Sequence, residues 1–248
     1  MFCEMEPPAR ESVKRMNPSL WTLGTTVICV KISTGDAQPL NSLASWVDGD
    51  STFHLQPRDE TYLTNSTEGD AAIDRLQECG TGGSVWKLGS EAICKVKSWY
   101  EGRQLEATTI DFVRKTCPEV PMAEVIYSWI DRPINRTFLI MKRVQARTLN
   151  TAWPHLSAAQ HMNIAKEVAH HCSSLARITS SRYESISGCG VYEYWLMGKL
   201  PASNPSWFYM TVGPFSSIDM KTYMTKISCE ILPERPISRV SGLPPNPR

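Results

Sequence analysis

The chain has 248 residues, enough for one sizeable domain or two small ones. It carries 26 Lys and Arg against 25 Asp and Glu, and a formal net charge of +1 excludes both a strongly basic nucleic-acid binder and an acidic solvating tail. Hydrophobic residues make up 42% and charged residues 21%, a composition that buries a core, and the 8 Cys contain no Cys-x-x-C pair that would signal a zinc ribbon or a thioredoxin-like site.

The opening residues, Met1-Phe2-Cys3-Glu4-Met5-Glu6-Pro7-Pro8, are acids and prolines rather than a basic stretch leading into an apolar one. The longest clean apolar runs, such as Phe138-Leu139-Ile140-Met141, reach about a fifth of the length that a bilayer requires. The expectation is a soluble, cytoplasmic protein with reduced thiols and no membrane or nucleic-acid partner.

Residues 1–18 are polar without a period, and residues 33–70 are rich in Ser, Thr, Asp, Asn and Gly, so both stretches read largely as loop or disorder. Between them, residues 21–31 read as strand, turn and strand. That segment has an echo: residues 19–29 and 84–94 agree at six of eleven positions, with Trp, Leu-Gly and Ile-Cys all in register. Two hairpins of β-favouring composition would look alike, and so would a duplicated or misjoined segment. In the second hairpin Gly89-Ser90 suits a two-residue turn. That register places Lys95 on one face with Trp86, Leu88 and Ile93, where an ammonium needs an anionic partner or a route to solvent.

Between Gly102 and Pro118, Glu106, Ile110, Val113 and Cys117 recur at helical spacing, so a helix over 103–117 turns Glu106 inward and makes it the candidate partner of Lys95. Strands are expected over 122–129 and 137–144, joined by turn chemistry at Asp131-Arg132-Pro133-Ile134-Asn135. Ser157 with Gln160 is a capping-box signature opening a long helix with a stripe through Met162, Ala165, Val168 and Cys172. The adjacent His170 and His171 point about 100° apart on such a helix and do not form a metal site. Aromatic clusters at 192–195 and 207–209 read as core plugs or lids, residues 218–232 as a helix, and the proline-rich tail 233–248 as extended.

Taken in order, residues 80–220 resemble the N-terminal half of the aminoglycoside phosphotransferase-like branch of the protein-kinase-like superfamily, in its fungal expansion. Residues 84–89 look like the glycine-rich-loop hairpin and Ile93-Cys94-Lys95-Val96 like the lysine strand. Glu106-Ala107 with Phe112-Val113-Arg114 looks like the helix bearing the pairing Glu. Residues 139–144 are similar to the hinge strand, Arg147-Thr148-Leu149 with Ala152-Trp153-Pro154 to the run after it, and Gly213-Pro214-Phe215 to a short motif before the catalytic half. The resemblance implies an α+β protein-kinase-like fold: an N-terminal extension over 1–70 with a hairpin near 20–31, an antiparallel N-lobe sheet plus helix over 71–144, an incomplete helical C-lobe over 145–232 and a tail over 233–248. It implies a residual ATP site at Gly82, Gly83, Ser84, Lys95, Glu106, Met141 and Arg143.

The sequence departs from the pattern in three places. The glycine loop is thin, Lys142 stands where an acid is common, and Gln145-Ala146 replaces Pro-Gly. More important, the family's His-x-Asp-x-x-x-x-Asn loop and downstream metal-binding Asp are missing, since the last His is His171 and the last Asp is Asp219. The expectation is a truncated phosphotransferase-like protein without catalytic or Mg²⁺-binding residues, and with an unknown protein partner covering the incomplete C-lobe. Two alternatives stand beside it: an active small-molecule kinase completed by another chain or by an acid such as Glu193 or Glu230, and a non-enzymatic interaction module.

Overall fold

The computed structural model describes residues 7–33, 35–59, 71–192 and 211–231, and its architecture is α+β with antiparallel sheets. The aromatic cluster at 207–209, most of that at 192–195 with Glu193, and the tail over 233–248 lie outside these residues. No helix among the described residues is long and apolar enough to cross a membrane. Contacts group the chain into two units, residues 1–179 and 180–248.

The first unit opens with a five-stranded sheet: β1 (Val13–Asn17), β2 (Leu20–Leu23), β3 (Val27–Ser33), β4 (Ala44–Asp48) and β5 (Ser51–Pro57), ordered β1-β2-β3-β5-β4. A second sheet follows with β6 (Arg75–Cys79), β7 (Gly83–Leu88), β8 (Ala92–Ser98), β9 (Val125–Asp131) and β10 (Arg136–Lys142), ordered β6-β7-β8-β10-β9. The two sheets are wound identically and every pairing is antiparallel. Helix α1 (Glu106–Thr116) is inserted between β8 and β9, where the first sheet has only residues 34–43.

The inner faces of both sheets form one core. Trp21, Leu23, Cys29, Phe53 and Leu55 from the first sheet join Trp86, Leu88, Cys94, Phe138 and Ile140 from the second. Trp46 stacks on Phe53 with ring centroids 5.2 Å apart, and Trp129 stacks on Phe138 at 4.6 Å. Offset aromatic pairs of this kind add to the area that they bury. Burial pushes the Cys29 and Cys94 thiols up, which keeps both in the unreactive neutral form. The outer face of the second sheet carries a smaller cluster, in which Ala107 and Ile110 of α1 pack on Leu139 and Met141.

Two expectations are corrected here. Residues 44–57 are not loop, because β4 and β5 occupy all of them but Gly49 and Asp50, and β1 lies within the polar N-terminal stretch. The alternation in β5 is real, with Phe53 and Leu55 inward, but His54 and Gln56 face outward and are themselves buried, so the stretch looks polar in sequence. Packing against the other sheet, rather than local propensity, makes the strand. The second correction is one of register. Leu88 pairs with Ala92 and Trp86 with Cys94, so the turn has three residues, Gly89, Ser90 and Glu91. A one-residue slip exchanges the faces of a strand. Lys95 and Ile93 therefore face α1, and Trp86 faces the inter-sheet core.

After β10 come the short helix α2 (Leu149–Ala152) and the long helix α3 (Ala158–Ala176), which starts at the expected capping box: Ser157 Oγ accepts from the Gln160 amide and Gln160 Oε1 accepts from the Ser157 amide. Its apolar stripe is largely exposed, Met162 at 57% and Val168 at 53%, and only Ser174 is buried. The second unit contains the two-residue pair β11 (Arg182–Tyr183) and β12 (Phe215–Ser216) followed by helix α4 (Ser217–Ile231). Ser216 caps α4 by accepting from the Asp219 amide, and Phe215 contacts Tyr223 with centroids 5.0 Å apart.

The shared core makes a direct expectation. Phe53→Ala and Phe138→Ala should each destabilise by about 3–5 kcal/mol in urea unfolding, and by similar amounts, because each removes one half of a buried stacked pair. A cost below about 1 kcal/mol at either position would contradict a single core.

Candidate functional site

Strand β8 carries Lys95 and Lys97 two residues apart, so both side chains emerge on the same face. Leu105 precedes the first turn of α1 without a side-chain cap, and Glu106 occupies the first helical position, where a negative charge complements the exposed amides. Lys95 Nζ donates to Glu106 Oε1 at 2.6 Å, and Lys97 Nζ donates to Glu106 Oε2 at 2.6 Å. One carboxylate thus holds two ammonium groups, leaving the cluster with one net positive charge. The Lys95 and Glu106 side chains retain 29% and 31% of their exposure. Desolvation raises the Glu106 carboxyl, but the hydrogen bonds and charges of Lys95 and Lys97 overcome it and hold the group below its ordinary range.

The residues named from the sequence are only partly gathered. Lys95 and Glu106 meet as expected. Gly83 lies on the rung beside Lys97, and the Gly82 carbonyl accepts from the Ser98 amide at 2.8 Å. Ser84 is 2% exposed and lies on the same side of β7 as Trp86, away from Lys95, and its hydroxyl has no partner among the described residues. The Met141 side chain is buried beneath α1. The Arg143 amide donates to the Glu91 carbonyl at 2.8 Å, and the Lys142 amide donates to the Glu124 carbonyl at 2.8 Å, so both hinge donors are engaged. The space bounded by Lys95, Lys97, Glu106 and Leu139 is about 20 Å³, room for a single water.

Lys97, the second ammonium on Glu106, is not among the site residues named from the sequence. Its position two residues from Lys95 was the available signal. Also missed were Asp48 and Asp131, the last residues of β4 and β9. Asp131 accepts from the Thr25 amide at 2.6 Å and from the Thr25 hydroxyl at 2.7 Å. Asp48 accepts from the Ser90 amide at 2.6 Å, the Ser90 hydroxyl at 2.6 Å and the Glu91 amide at 3.1 Å. Each aspartate therefore caps the hairpin turn of the opposite sheet. The turn glycines accommodate this approach: Gly24 (φ +68°) and Gly89 (φ +73°) sit in the left-handed region, and a Cβ on either would collide with the capping carboxylate. The repeated Trp-x-Asp, at Trp46-Val47-Asp48 and Trp129-Ile130-Asp131, was the legible sign.

Comparison with protein-family models, with curated proteins and with solved structures gives no match.

The capping geometry fixes an acid response. Partial burial raises the Asp48 carboxyl, but hydrogen bonds from Ser90 and the Glu91 amide, with the charge of Lys31, bring it below its ordinary value. A depressed carboxyl stabilises the fold above its unfolded pKa of about 4, and that contribution is lost as pH falls through the folded value. Glu106 acts in the same direction. Unfolding free energy measured from pH 6 down to pH 3 should therefore fall, and Asp48→Asn should flatten the decline. An identical slope in the variant would contradict the cap.

Proposed function

We propose that residues 71–144 are a protein-kinase-like small lobe that retains the phosphate-anchoring end of a nucleotide site, and that the residues of this chain do not by themselves carry out phosphoryl transfer. The observation that carries the reading is the 2.6 Å ion pair between Lys95 on the third strand of the sheet and Glu106 on the helix that follows it. In protein kinases a third-strand Lys paired to a helix Glu positions the phosphates of ATP. The strand order with a helix between the third and fourth strands supports the same reading.

In this arrangement Lys95 and Lys97 would bind phosphate oxygens, and Glu106 would hold Lys95 at the strand face. ATP would supply the phosphates. The present geometry suits that end of a nucleotide better than the base, because the Lys142 and Arg143 amides are already engaged. For transfer, a carboxylate must orient the acceptor and metal ligands must neutralise developing charge. This sequence contains no His-x-Asp-x-x-x-x-Asn loop to provide them, and losing even one preorganised catalytic donor costs about 100- to 1,000-fold.

A second reading, a non-enzymatic interaction module, is favoured by the exposed Met162 and Val168 stripe of α3. Calorimetry with ATP, with and without Mg²⁺, separates the two. Weak binding by the wild type that Lys95→Met abolishes is expected for the nucleotide reading. Lys97→Met should weaken it less, because Lys95 keeps its bond to Glu106. Equal affinity in wild type and Lys95→Met would overturn the assignment of this site, and no binding by either would favour the interaction module.

A further inference from the structure

The two sheets share more than a strand order. Pairing places residues 19–33 on 84–98, 45–48 on 128–131 and 51–58 on 136–143, and thirteen of these 27 positions are identical. The correspondence extends to irregular features. A register shift follows Arg15 in β1, opposite Trp21, and another follows Arg75 in β6, opposite Trp86. Bulges are built features, so two at equivalent rungs are informative. The Arg58 amide donates to the Thr26 carbonyl at 2.8 Å, as the Arg143 amide does to the Glu91 carbonyl.

The identities are also unevenly placed. Trp21 and Trp86, Leu23 and Leu88, Cys29 and Cys94, Trp46 and Trp129, and Phe53 and Phe138 all belong to the shared core or pack on it. Asp48 and Asp131 form the reciprocal caps. On the outer faces the sheets diverge: Val30 stands at the position of Lys95, Ile32 at that of Lys97, and His54 at that of Leu139. A common β composition would not keep the bulge, the cap and the stacked pair together while discarding the ion pair.

We infer that the first sheet is a second copy of the β-unit that carries Lys95, and that it serves as the built-in partner of that unit. The surface that it covers is self-complementary. Each copy presents a hairpin turn and a strand-end aspartate, and the turn of one receives the aspartate of the other, which is the reciprocity of an isologous interface. The kind of partner that fits the inner face of the second sheet is therefore another sheet of the same register, here supplied within the chain.

Native-state hydrogen exchange on the full chain tests the inference. In a seam between two interdependent copies, the central amides of β3 and β8 open together and show equal protection. Asp48→Asn and Asp131→Asn should each lower protection in both strands alike, by about ten- to a hundredfold, since each weakens charge-assisted hydrogen bonds. Unequal protection of β3 and β8 in the wild type, or loss confined to one sheet in either variant, would overturn it. Should a variant fail to fold, the wild-type comparison decides alone, and Ser90→Ala, which removes one of the three bonds to Asp48, supplies a milder perturbation.

Discussion

Two carboxylates at strand ends hold the first unit together. Asp48 reaches from one sheet to the turn at Ser90, and Asp131 reaches back from the other to the turn at Thr25. Asp131 is fully buried, and a buried carboxylate needs its hydrogen bonds because desolvation penalises the charge. The two turns must have three residues so that amide and hydroxyl converge on the acid, and they must begin with glycine so that the acid fits. Those requirements set the hairpin register, and the register decides that Trp86 and Cys94 point into the core while Lys95 points to α1. The candidate site is thus a consequence of the seam behind it.

On the far side of the second sheet the ion cluster is arranged differently. Glu106 is balanced by two lysines rather than one, at an edge that keeps about a third of its exposure. Exposed pairs of this type contribute little to stability, so the cluster does not explain why the sheet folds. In the reading proposed above, its place at the start of α1, on the third strand, and its residual positive charge would let it hold an anion. The amides of Lys142, at the end of β10, and of Arg143, just past it, are committed to Glu124 and Glu91, and Asp48 reaches the same turn through Ser90 and Glu91, which ties this stretch to the first sheet.

Much of the second sheet was legible in the sequence. The stripe through Ile110 and Val113 located α1, Glu106 was named as the partner of Lys95, and Ser157 with Gln160 marked the start of α3. The hairpin echo was visible, with its meaning open between shared composition and duplication. Strands β4 and β5 were hidden because they depend on an opposite sheet that composition does not reveal, and because His54 and Gln56 are buried polar residues on the outer face. The strand faces are misread at Trp86 and Leu88, which do not share the face of Lys95: Gly89-Ser90 favours a two-residue loop locally, and the long-range cap by Asp48 imposes three.

The reciprocal seam is the central claim, and nuclear Overhauser contacts in the full chain test it most directly. A single sample should show contacts between the Gly24 α-protons and the Phe138 ring and between the Gly89 α-protons and the Phe53 ring, because each ring lies against the opposite turn. Both sets are expected together with equal intensity. The absence of either set, with the strands of both sheets intact, would contradict the account.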